Sequence, residues 1–340
     1  MKGLTAFWLL LPMALSVIGT VSGENWPQWR GPIGNGVSPE AGVPVQWSET
    51  GNIAWKAPLG GVAVSSPIVW NDKAFVTSQI GKGKLRGGSH PTLARGEQQG
   101  DEEPLGGKDT VSDETRTTFL VEAFEVTKGT RLWQYKLAAE ADFPEVHSKH
   151  NMASPSPVTD GELVYAWFAT GQIVALDMEG HLVWKRHLGQ EISPFVINWG
   201  HGSSPSLYKD ILFLLCYHRP ASYLLAVDKK TGKEVWRIDR GQGIHSHCTP
   251  FVAQTDSRDE LIINSSQRVD AYNPLTGESL WYAGEEVRYA IPVPAYGDGV
   301  LYMSRGYRSG PYLAIRAEGS GDVSESHLLW RVAKGAPYIS

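Results

Sequence analysis

The chain is poor in three things. Only two cysteines, Cys216 and Cys248, occur in 340 residues. Two thiols cannot staple a disulfide framework, so the fold must rest on an ordinary apolar core. Positive charge is not in excess: 31 Lys and Arg face 36 Asp and Glu, for a net charge of −5. That excludes the basic footprint a nucleic-acid partner requires. No run of about twelve or more residues repeats its apolar positions at helical spacing, which excludes helical repeat arrays.

Long apolar runs are also scarce, and the single one is N-terminal. Lys2 precedes "LTAFWLLLPMALSVI", Leu4 to Ile18. The run is about 15 residues, short of the roughly 20 a spanning helix needs. Val21, Ser22 and Gly23 then form a small-residue cleavage site. Residues 1–23 are therefore read as a signal peptide, and 24–340 as an exported chain without a membrane span. No Cys lies near the cleavage site to carry a lipid.

Tryptophan, in contrast, is abundant at 13 copies, and five of them recur in register. Trp133, Trp184, Trp236, Trp281 and Trp330 each close a short apolar run, at spacings of 51, 52, 45 and 49 residues. The segments "AFEVTKGTRLW", "AVDKKTGKEVW" and "AYNPLTGESLW" share an Ala ten positions before the Trp and a Gly between them. "ALDMEGHLVW" is a copy one residue shorter. Each period opens on a hydroxyl- or Pro-containing stretch: "SSPIV", "SPSPV", "SSPSL", "CTPFV" or "IPVPA". Four short β-rich runs per period, bounded by Gly, Asp and Pro, predict propeller blades ending at these tryptophans. Each Trp is expected to lie flat and buried between blades, as a structural docking residue. Gly supplies the turn before the outer strand.

Five complete strand sets are counted. The segment "NIAWKAPL" (Asn52–Leu59) adds an orphan outer Trp strand, and "GAPYIS" at the end resembles the lead-in to another blade. The expectation is a truncated record of a ring of six to eight blades. Residues 81–116, rich in Gly and in charges of both signs, are expected to form a solvated insertion loop between the second and third strands of the first blade.

The Ala-x-Asp-x-x-Thr-Gly-Lys-x-x-Trp pattern resembles the tryptophan-docking motif of pyrroloquinoline-quinone-type (PQQ-like) β-propellers. "NWPQWRGPIGNGVS" and "NIAWKAPLGGVAVSSPIVW" resemble a bacterial secreted branch of that superfamily. The resemblance implies an all-β propeller in the bacterial periplasm, cell envelope or exterior. It leaves activity open, because the superfamily mixes enzymes, scaffolds and sensors. Quinone-dependent alcohol dehydrogenases of this kind carry an adjacent Cys-Cys pair and a calcium-binding triad. Here Cys216 and Cys248 are 32 residues apart and no triad matches, so no quinone cofactor is expected. A more distant resemblance is to the propeller scaffold of the outer-membrane β-barrel assembly machinery, which is a lipoprotein.

Polar residues cluster just before blade openings: His147, His150, His201, His245 and His247, with Arg288. First strands line the axis of a propeller, so these positions converge on one mouth. Imidazoles there suit a metal or an anion. The competing reading is that they hydrogen-bond backbone at strand starts. Carboxylates are not interleaved at ligand-like spacing, so no metal site and no catalytic residue are assigned. Partial protonation near pH 6 would favour an anion. The leading reading is a monomeric, non-catalytic scaffold that binds a protein or polymer through one face of the ring. The alternative is an enzyme, or a metal- or anion-binding protein, using the histidine-lined funnel.

Overall fold

A computed structural model describes residues 23–81, 117–140, 150–196, 200–287, 290–306 and 310–337. Of the segment read as a signal peptide only Gly23, and of the 81–116 segment read as an insertion loop only Gly81, lie within these residues. The insertion does fall between the second and third strands of its sheet.

The β-rich runs form five antiparallel sheets, each built in sequence order from the axis outward. The first holds β1 (Ile68–Trp70), β2 (Lys73–Ile80), β3 (Thr118–Glu125) and β4 (Arg131–Ala138). The second holds β5 (Val158–Thr159), β6 (Leu163–Trp167), β7 (Gln172–Asp177) and β8 (Leu182–His187), followed by a single-turn helix α1 (Leu188–Glu191). The third holds β9 (Ser206–Tyr208), β10 (Ile211–Tyr217), β11 (Ser222–Asp228) and β12 (Glu234–Asp239). The fourth holds β13 (Phe251–Gln254), β14 (Asp259–Asn264), β15 (Val269–Tyr272) and β16 (Ser279–Ala283). The fifth holds β17 (Ala295–Gly297), β18 (Val300–Ser304), β19 (Tyr312–Arg316) and β21 (Leu328–Val332). The remaining short strand, β20 (Gly321–Asp322), leaves its own blade and pairs in parallel with β16. Among the described residues no helix is long and apolar enough to cross a membrane.

In the second to fourth blades the middle strands are covered on both faces by neighbouring blades, so they read as continuous apolar runs. "ILFLLCY" of β10 is buried at every position, whereas "EVWRID" of β12 alternates half-buried and exposed. In all five blades the repeated Ala sits directly across from the repeated Trp: Ala123 from Trp133, Ala175 from Trp184, Ala226 from Trp236, Ala271 from Trp281 and Ala314 from Trp330. Each of these alanines is fully buried. The register slips immediately after each one, so the bulge is part of the repeat.

The turn glycines are fixed twice over. Gly129, Gly180, Gly232 and Gly277 have φ of 68°, 88°, 69° and 73°. A Cβ on them would stand 2.4, 2.6, 2.7 and 2.9 Å from the ring of Trp55, Trp133, Trp184 and Trp236 respectively. Each Trp thus lies on the turn of the next blade. Trp55, Trp133 and Trp184 also donate their indole N–H to carbonyls there, of Val126, Met178 and Lys229, at 2.5, 2.9 and 2.8 Å. Trp55 occupies the same position on the first blade that the other tryptophans occupy on the blade after theirs. Asn52–Leu59 thus delivers a docking tryptophan to the first blade, but it forms no strand, which corrects the expectation of an orphan outer strand: no neighbouring strand lies beside it among the described residues to supply ladder hydrogen bonds. Gly232→Ala is expected to destabilise the protein by about 1–3 kcal/mol, through both the positive φ and the ring above it. Thermal melts of the variant check this.

Burial of the docking tryptophans is less complete than the sequence suggests. Trp281 is fully covered, because β20 and Gly319 fold over it. Trp133, Trp184 and Trp236 are only half-buried, since outer strands keep one edge in water. Trp330 is 42% exposed, which corrects the expectation of burial for that residue. No turn of a following blade lies over it among the described residues.

A second repeated element ties the blades near the axis. In the first three openings the residue before Pro donates its backbone N–H to the hydroxyl of the matching residue one blade on. Ser66 N reaches Ser156 Oγ at 2.9 Å, Ser156 N reaches Ser204 Oγ at 2.9 Å, and Ser204 N reaches Thr249 Oγ1 at 3.1 Å. The fifth blade has Val293 at this position and cannot continue the belt by a hydroxyl. Ser204→Ala would orphan the buried Ser156 N–H at an expected cost of about 1–3 kcal/mol. Urea unfolding of the variant measures it.

The stretch before the first blade crosses the axis as a strap. Trp26 pairs with Val69 of β1, and Pro27 O accepts from Thr159 N at 2.9 Å. Further on, Arg30 Nη1 reaches Val293 O at 3.4 Å, and Gly34 lies against Phe251. The strap therefore runs from the first two blades to the fourth and fifth.

Candidate functional site

Strand direction decides which side chains share a face. The loop entering each inner strand and the end of each second strand lie at the same end of a blade. His150, His201, His245 and His247 enter inner strands there. His218, which follows β10, arrives at the same end. His147 and Arg288 lie outside the described residues.

His150, His201 and His247 come together. Gly202 stands between His150 and His247, and a Cβ on it would be 3.9 Å from His150 Cε1 and 4.0 Å from His247 Nδ1. His150 uses both ring nitrogens locally. Nε2 meets the His201 carbonyl at 3.1 Å, and Nδ1 meets the Ser154 hydroxyl at short range. His150 thus holds the entry to the second blade against the entry to the third.

His201 is fully buried, with its ring 4.3 Å from Trp167 and 5.3 Å from Phe195 between centroids. Neither of its ring nitrogens has a hydrogen-bond partner. His218 is also fully buried, stacked 4.1 Å from Phe195, with Nδ1 donating to Arg219 O at 3.0 Å. Burial drives both pKa values down, His201 well below the ordinary value and His218 to about 4. His247 is likewise lowered to about 4, by burial first and then by His150 and His245. His245 is lowered by burial and by Arg219. Burial thus favours the neutral imidazole at each of these four positions. Among the described residues, no group of three or more His, Cys, Asp or Glu is arranged to hold a metal ion.

The residues present do not fit a quinone cradle. Cys216 lies within β10 and Cys248 just ahead of β13, on different blades, and both are free and buried. Burial raises both thiols, Cys248 to about 12, which leaves them unreactive protonated groups.

Sequence reasoning missed His218. The signal was available: "CYHRP" spans the end of the second strand of its blade, and antiparallel order returns that end to the histidine face.

A family model described as outer membrane protein assembly factor BamB matches residues 117–308. Among solved structures, BamB from Moraxella catarrhalis is similar at 18% identity and a TM-score of 0.51, over 84% of this chain. The chain spans 66% of that protein's length. A quinohemoprotein alcohol dehydrogenase from Comamonas testosteroni aligns at 12% identity and a TM-score of 0.49, over 87% of this chain and 48% of its own. At 18% identity the likeness to the Moraxella catarrhalis structure speaks for the propeller fold alone. No curated protein matches the chain.

Proposed function

This chain belongs to the family described as outer membrane protein assembly factor BamB, and from that premise we propose that it is a non-catalytic scaffold. In this reading it binds a protein partner through one face of its blade ring, in the bacterial cell envelope. The observation that carries the reading is how the histidine face spends its polar groups. His150 bridges two blade entries, and His201 and His218 are sealed among Trp167, Phe195 and Tyr223. A general acid or base needs a group that exchanges protons near the working pH. Burial holds His201, His218 and His247 away from that range. The side chains build a stiff rim, and a stiff rim suits docking.

The test is site-specific photocrosslinking of the full chain in a bacterial envelope extract. One probe replaces Gln242, in the exposed loop at the histidine face. The other replaces Leu275, 47% exposed in the turn at the opposite end. A scaffold acting through one face gives a discrete protein adduct from one probe and not from the other. Equal smears from both, or none from either, would count against it.

A further inference from the structure

We propose that the cavity between the N-terminal strap and the inner strands of the third to fifth blades binds a neutral saccharide. The cavity measures about 270 Å³. That is just under the roughly 300–1,000 Å³ of drug-sized pockets, and leaves room for one or two sugar rings. Its chemistry is mixed in a specific way. Trp29 of the strap, Tyr208 of β9, Phe251 of β13 and Tyr296 of β17 supply aromatic surface. Side-chain amides and hydroxyls come from Gln28, Asn35, Ser206, Thr249 and Gln254. No charged side chain lines it among the described residues.

Each part narrows the ligand. Without a cation or a carboxylate in the wall, nothing there pairs with a phosphate, a carboxylate or an ammonium group. Aromatic rings interspersed with amides and hydroxyls match a pyranose, which has apolar C–H faces and a rim of hydroxyls. A peptide presents its polar groups along a line and brings charged termini, and this wall meets neither need.

Ser206 of β9 belongs to the wall but is only 5% exposed, and its Oγ is closed off from solvent, so the polar contacts open to a ligand come from the amide side chains. Around it the polar groups are partly pre-set. Gln28 Nε2 donates to Pro32 O at 3.2 Å, leaving its carbonyl oxygen as an acceptor. Asn35 Oδ1 accepts from Val37 N at 3.0 Å, leaving its N–H groups as donors. Gln254 stands exposed at the edge.

The experiment is titration calorimetry of the purified full chain with cellobiose, chitobiose and maltose. Glucuronic acid and a blocked Gly-Phe-Gly tripeptide serve as comparators. At least one uncharged disaccharide is expected to bind at millimolar or tighter affinity. Gln28→Ala or Gln254→Ala should weaken that binding about five- to tenfold, one hydrogen bond's worth. Thermal melts establish that the variants are folded. The proposal is overturned by three results: no heat from any uncharged disaccharide, binding only of the charged sugar or the tripeptide, or disaccharide affinity unchanged in both variants. Protein docking at a ring face does not enter this readout, so the two readings stand or fall separately.

Discussion

Trp281→Ala is expected to lower the unfolding free energy by about 3–5 kcal/mol, while Trp330→Ala costs under about 1.5 kcal/mol. Both residues end the same repeat and face the same kind of alanine. They differ in what covers them. Trp281 is fully buried in the largest apolar cluster, and its indole N–H donates to Glu260 Oε2 at 2.9 Å. Truncating it empties a large volume and strips one partner from Glu260, a fully buried carboxylate left with Arg258 and the Glu318 N–H. Trp330 is 42% exposed and has little packing to lose. Trp236 falls between them, being half-buried with an unpaired indole nitrogen. Urea denaturation of the three alanine variants gives the order directly. Equal costs at Trp281 and Trp330 would mean that burial does not govern the repeat.

Acid is expected to destabilise the protein over a window that opens well above the ordinary carboxylate range. His218 and His247 have folded pKa values near 4, and His201 lies well below its ordinary 6.5. Between pH 6.5 and about 4 the unfolded chain therefore binds more protons than the native one, so stability rises with pH there. The stabilisation is complete above about pH 6.5 and is lost as pH falls towards 4. For His218 alone the loss at pH 5 is about 2 kcal/mol. Chemical denaturation at pH 7.5, 6 and 5 should show a steadily falling midpoint. His218→Phe, a ring of similar shape beside Phe195 and Tyr223, should flatten part of that slope. A midpoint that holds steady from pH 7.5 to 5 would show these imidazoles to be solvated.

Most of the fold was legible because the repeat writes its own constraints. Only a small residue fits across from each Trp, and only glycine tolerates both positive φ and a ring overhead at Gly129, Gly180, Gly232 and Gly277. The docking role of Trp55 could be recognised for the same reason, although its segment forms no strand. The Ser/Thr-Pro openings were visible as a pattern, but their role was not. Ser66, Ser156 and Ser204 act across blades, and a hydrogen bond between residues 48 and 90 apart leaves no local trace. The strap is equally non-local, since nothing in "NWPQWRGPIGNG" says that it crosses an axis. The histidine face was half legible. Strand order brings the positions together, but protonation depends on burial, and the aromatic seal of Trp167 and Phe195 around His201 comes from a separate part of the chain.

The scaffold reading makes one claim that crosslinking tests most directly: a single face of the ring meets a protein. Photocrosslinking from position 242 and position 275 in parallel, followed by mass spectrometry of the adducts, measures it. The expected result is one defined protein joined to the chain from one position, with the other position unmodified. The same diffuse adducts from both ends of the blades, or turnover of a small substrate by the purified chain with no adduct at either position, would contradict it.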